Sequence, residues 1–112
     1  MNLAPSPSNS WFETATGADS GATATHTAET DRLHIVTSVQ GHTDADATIS
    51  ILDEDDNELW AVKIVTSTNG NGFSVYVPNV HDKTNGSGTA IKAKISASTA
   101  SCSITMGGFS VP

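Results

Sequence analysis

Residues 47–64, ATISILDEDDNELWAVKI, are written as a β-hairpin. Ala47, Ile49 and Ile51 alternate with Thr48, Ser50 and Leu52, the period of two that gives a strand one buried face. Trp60, Val62 and Ile64 alternate with Ala61, Lys63 and Val65 in the same way. Between them lies Asp53-Glu54-Asp55-Asp56-Asn57-Glu58. Asp and Asn bond their own backbone and tolerate turn conformations, so turn and strands agree. The rest of the chain reads as further strands stacked on this hairpin.

Strands are expected at 22–27, 33–40, 73–77, 89–96 and 102–111. In the second of these, Leu33, Ile35, Thr37 and Val39 form the expected inward face, with His34, Val36 and Ser38 opposite. Asn69-Gly70-Asn71-Gly72 is a turn signal, because Asn and Gly accept positive φ. Residues 98–101 turn the chain, 41–46 and 79–88 are loops, Pro78 stops a strand, and Gly107-Gly108 bends the last one. The expectation is an all-β domain. It is a single antiparallel β-sandwich, jelly-roll-like or Ig-like, of about seven to eight strands. It occupies residues 21–112, behind an extended N-terminal arm at 1–20.

That arm carries Pro5, Pro7 and several Ser, which read as poorly ordered alone. Trp11 and Phe12 interrupt the pattern, because two adjacent large aromatics seldom stay in water. They either fold back on their own sandwich or dock on a neighbouring subunit.

Charge narrows the partners. The chain has 112 residues, a formal net charge of -7 and five basic residues, too few and too scattered for phosphate contacts. Neither nucleic acid nor an anionic membrane is an expected partner. No Lys or Arg falls between Arg32 and Lys63, where Asp44, Asp46, Asp53, Glu54, Asp55, Asp56 and Glu58 crowd. This acidic end faces either water or a basic partner. The single cysteine, Cys102, sits in a core alternation with Ile104 and Met106 and fits a reducing compartment. No signal peptide and no apolar run of bilayer length is visible.

No chemistry stands out. Asp53, Asp55 and Asn57 have the spacing of the first EF-hand ligands, but Glu58 stands where Gly is needed and Ile64 where a bidentate Glu is needed. His26, His34, His42 and His81 show no metal-ligand spacing. There is no nucleophile elbow, P-loop or dinucleotide fingerprint. The expectation is no enzyme, no cofactor and no metal. Trp60 and Phe73 fall on inward alternations; Tyr76 points away from Val75 and Val77 and is the expected exposed ring, in an interface or a carbohydrate site.

The order of these segments resembles a known group. ATATHTAETDRLHIVTSVQG, ELWAVKI, FSVYVPNV and GTAIKAKISASTASCSITMGGFSV follow one another, with Pro78 and Met106-Gly107-Gly108-Phe109 at set points. This is similar to the small β-sandwich head decoration, or cement, proteins of tailed bacteriophages. The resemblance implies a structural virion protein assembled in the host cytoplasm, a homotrimer that bridges neighbouring major capsid protein subunits. The expected partner contacts are Trp11, Phe12, Tyr76, Asp53, Asp55 and Asp56. The alternative is a carbohydrate-binding or host-adhesion module on the virion surface, tail or fibre, with Tyr76, Asn79 and His81 in its patch.

Overall fold

The computed structural model describes residues 9–18, 21–66, 71–97 and 101–112. The expected features at Pro5, Pro7, Asn69-Gly70 and 98–100 lie outside the described residues. Among the described residues there are eight strands: β1 Ser10–Gly17, β2 Ala22–His26, β3 Leu33–Thr43, β4 Ala47–Leu52, β5 Glu58–Ile64, β6 Gly72–Val80, β7 Ile91–Ala97 and β8 Cys102–Val111. They form two antiparallel sheets, ordered β1-β8-β3-β6 and β2-β7-β4-β5.

The pairing is nested. First pairs with last, second with seventh, third with sixth and fourth with fifth. The described strands thus make one long hairpin, folded at the acidic turn between β4 and β5 and then rolled into two layers. This is the jelly-roll alternative. In an Ig-like sandwich the first two strands would share a sheet; here β1 and β2 lie in different ones.

The core lies between the sheets. Ile49, Ile51, Ile91, Ile95, Ile104, Met106, Val36, Val39 and Val77 are fully buried there. Each buried side chain of this size stabilises the fold by about 1.5–3 kcal/mol relative to exposure. Cys102 is buried beside Ile104 and Met106, as its alternation predicts.

Four local expectations need correction. β1 occupies part of the expected arm and pairs with β8 from Ser10↔Phe109 to Gly17↔Cys102, so the sandwich starts at Ser10 rather than at residue 21. Its alternation is hidden because the outward face carries Phe12 and the inward face carries Glu13. In β3 the inward side chains are His34, Val36 and Val39, not Leu33 and Ile35. A bulge between Val36 and Ser38 shifts the register with β8 by one residue, and the pleat changes face there. β3 also runs on to Thr43, into the expected 41–46 loop. Pro78 does not stop β6, which continues to Val80. β6 is an edge strand, where a missing N–H leaves no partner unpaired.

The acidic turn is internally bonded. The Asp53 carboxylate accepts the backbone N–H groups of Asp55 at 2.9 Å and Asn57 at 2.8 Å, and the Asn57 side-chain amide at 3.1 Å. Asp82 does the same for Thr84 and Asn85. Both carboxylates are buried. The Asn57 N–H holds the Asp53 carboxyl below its usual range. Asp56 takes the left-handed conformation that closes the turn, with φ 67°.

Candidate functional site

Two large hydrophobic side chains are exposed among the described residues: Phe12 at 75% and Tyr76 at 74%. They lie on one sheet and on one cross-strand row. Phe12 is opposite Gly107, Gly107 opposite Ser38, and Ser38 opposite Tyr76. The row runs across β1, β8, β3 and β6, so the aromatics stand at its two ends, about 14 Å apart by strand spacing. The outward alternation of each strand puts both rings on the face away from the core.

The floor between them is low and polar. Phe12, Thr14, Ser38, Gln40, Thr105 and Gly107 line a shallow depression of ≈ 390 Å³. Gly107 makes it possible, since a Cβ there would approach Ser38 Oγ to 2.8 Å. Thr14 and Thr105 share a hydroxyl–hydroxyl bond of 2.9 Å across the floor. Ser38 and Gln40 face solvent. An aromatic wall beside hydroxyl and amide groups offers stacking and hydrogen bonding together, and no charge.

A smaller hollow of ≈ 200 Å³ is lined by Leu59, Pro78, Asn79, Val80, His81, Lys83 and Thr84. It contains the expected loop residues Asn79 and His81. It holds no exposed aromatic ring.

On the opposite side of β1 the chemistry is different. Trp11 points inward and stacks on His26 with ring centroids 4.1 Å apart and 9° between planes. His34 meets the edge of both rings. Trp11 Nε1–H donates to Ser110 Oγ at 2.9 Å. The Thr27 carbonyl oxygen, 2.9 Å from His34 Nε2, can only accept, so that nitrogen carries the proton. His34 Nδ1 then accepts from the Ser110 hydroxyl at 2.6 Å. Burial pushes the His34 pKa down and favours this neutral ring. His26 is bracketed by two carboxylates, Glu13 Oε2 at 2.7 Å from Nδ1 and Glu29 Oε1 at 3.0 Å from Nε2. His26, Glu29 and His34 each present a donor atom within 4.8 Å of the others. The sequence hides this group because the histidines sit on β2 and β3, in different sheets.

The remaining expected contacts divide. Asp55 and Asp56 are exposed at the hairpin tip, and Asp56 pairs with Lys92 at 2.8 Å. Asp53 is buried, and its oxygens are taken by the turn's own N–H groups. Trp11 folds back on its own sandwich; Phe12 does not.

No protein-family model matches the chain, and no curated protein matches it. Solved structures do. A histidine mutant of the lectin-binding domain of lectinolysin, complexed with Lewis b, superposes with a TM-score of 0.52 at 8% identity, over 86% of this chain and 70% of that one. The lectin domain of lectinolysin complexed with Lewis B antigen gives 0.51 at 8% identity, over 84% and 70%. The likeness is one of fold. Like those domains, this chain is a β-sandwich. Among the described residues no helix is long and apolar enough to cross a membrane.

Proposed function

We propose that this protein is a non-enzymatic carbohydrate-binding module that seats its glycan on the outer face of the β1-β8-β3-β6 sheet. The observation that carries this reading is the single row Phe12–Gly107–Ser38–Tyr76, two exposed rings at either end of a small, polar floor. Sugar rings have apolar C–H faces that stack on aromatic side chains and hydroxyls that pair with Ser, Thr and Gln. A span of three strand spacings suits an oligosaccharide rather than one residue. The lectin domains that share this fold support the reading in the same direction.

Stacking needs no ionised group, so no step of bond cleavage is assigned to this face. The test is a glycan screen followed by calorimetry on the best binder. Phe12→Ala and Tyr76→Ala should each weaken binding by about 30-fold, the size of an interface hot spot. A screen without binders, or binding that both variants leave untouched, overturns the reading.

A second reading keeps the same rings for protein contact, in a trimeric phage head decoration protein bridging major capsid protein subunits. The exposed acidic tip at Glu54, Asp55, Asp56 and Glu58 favours a basic partner surface. Sedimentation of the whole chain beside Phe12→Ala tests it. A trimer that dissociates on substitution supports that reading, and a monomer removes it. Deleting residues 1–20 is no test, because it strips β1 from the sheet.

A further inference from the structure

The bracketed imidazole of His26 poses a bonding problem. A neutral ring carries one N–H and donates to one carboxylate; its other nitrogen is then a lone pair. Yet carboxylate oxygens stand at 2.7 Å and 3.0 Å from its two nitrogens. An imidazolium that donates from both nitrogens satisfies these contacts, and so does a cation between Nε2 and Glu29. With the cation, His26 Nδ1–H donates to Glu13, while the Nε2 lone pair and a Glu29 oxygen both turn to the metal.

We propose that His26, Glu29 and His34 form a zinc site that ties the two sheets together at the β1/β2 edge, with its fourth position open to solvent. The ligand set is two imidazoles and one carboxylate, the donors that suit zinc with one open position. The three donor atoms lie within 4.8 Å of one another. Tetrahedral coordination at the usual bond lengths needs them about 3.3 Å apart. Glu29 Oε1, on the connection between β2 and β3, already stands 3.0 Å from His26 Nε2 and 3.9 Å from His34 Nε2, so the remaining closure falls on the His34 ring.

The groups around the ligands are those a metal site needs. Metal-bound histidines donate their other N–H to a carboxylate or hydroxyl, which sets the tautomer and ring angle. Glu13 does this for His26. Ser110, itself fixed by the Trp11 indole, stands 2.6 Å from His34 Nδ1 and would do it for His34 once the proton is on that nitrogen. On binding, His34 moves its proton to Nδ1 and turns Nε2 from the Thr27 carbonyl to the zinc. Trp11 stacked on His26 shields one side of the site. Glu13 and Glu29 together match the double charge of the ion. His26 belongs to β2 and His34 to β3, so one ion joins the two layers.

The test is zinc titration into the chelator-treated full chain, read by calorimetry and thermal unfolding, with magnesium and calcium as controls. One zinc per chain and a rise in Tm that the hard cations do not reproduce are expected. Cobalt in place of zinc should give the absorption bands of a four-coordinate centre. Glu29→Gln and His26→Asn should each abolish binding, and Glu13→Gln should weaken it about 10–100-fold. Glu29 lies on an exposed turn, so its variant keeps the fold and the test intact where a change at buried His34 does not. Absence of saturable zinc binding overturns the proposal. So does zinc that survives both Glu29→Gln and His26→Asn, which places it at His42–Asp44 or His81 instead. Phe12→Ala should leave zinc binding unchanged, so this site and the sugar face fail independently.

Discussion

Trp11 and Phe12 are neighbours in the chain and have opposite fates. Trp11 points between the sheets, stacks on His26 and bonds Ser110. Phe12 points outward and is 75% exposed. The same contrast recurs across the pairing on β8. Gly108 lies beneath the indole and against the Ile35 carbonyl, whereas Gly107 floors the depression beside Phe12. The lesson is that a strand's two faces divide the work. Its inner face closes the roll, and its outer face is left free to bind.

The largest expected effect is on the inner face. Trp11→Ala should lower stability by about 2–4 kcal/mol, since it removes a large ring and leaves the Ser110–His34 pair without its indole donor. Urea unfolding measures this. A loss no larger than that of Phe12→Ala would erase the comparison. Gly108→Ala comes next, at about 1–3 kcal/mol, because the new methyl meets rigid backbone at Ile35. Gly107→Ala meets a Ser38 hydroxyl that can rotate away, so it should cost less and should obstruct the glycan instead.

Phe12→Ala and Tyr76→Ala should change stability by no more than about 0.5 kcal/mol while reducing glycan affinity. A variant that loses both fold and binding would show that the outer face is also structural.

The smallest effects are electrostatic. Asp53 has a folded pKa below its ordinary 3.8, so the unfolded chain binds its proton first as pH falls. Its stabilisation is complete above 3.8 and is lost as pH drops from there through the lower folded value. His34 is likewise depressed, from 6.5, by burial; protonation of the unfolded chain therefore erodes stability as pH falls below 6.5. Urea midpoints across acid pH should show both windows, with Asp53→Asn flattening the lower one and leaving the upper one in place.

Much of the architecture is legible from residues alone. The β4–β5 hairpin, its acidic turn and the inward Ile49 and Ile51 follow from a period of two and from Asp and Asn turn chemistry. Tyr76 reads correctly as exposed, for the same reason. These are properties of a few adjacent residues. β1 was hidden because an outward Phe12 and an inward Glu13 invert the expected apolar alternation, and only its partner 85–99 positions away reveals it as a strand.

What the sequence by itself determined is local: strands, turns and an all-β sandwich. What only the tertiary structure decided is which strands meet. The nested roll puts Phe12 and Tyr76 on one row, and His26 and His34 against one another across two sheets. The bulge in β3 decides which of its side chains enter the core. Pairing between distant segments depends on the summed burial of both sheets, and no short window of residues carries that sum.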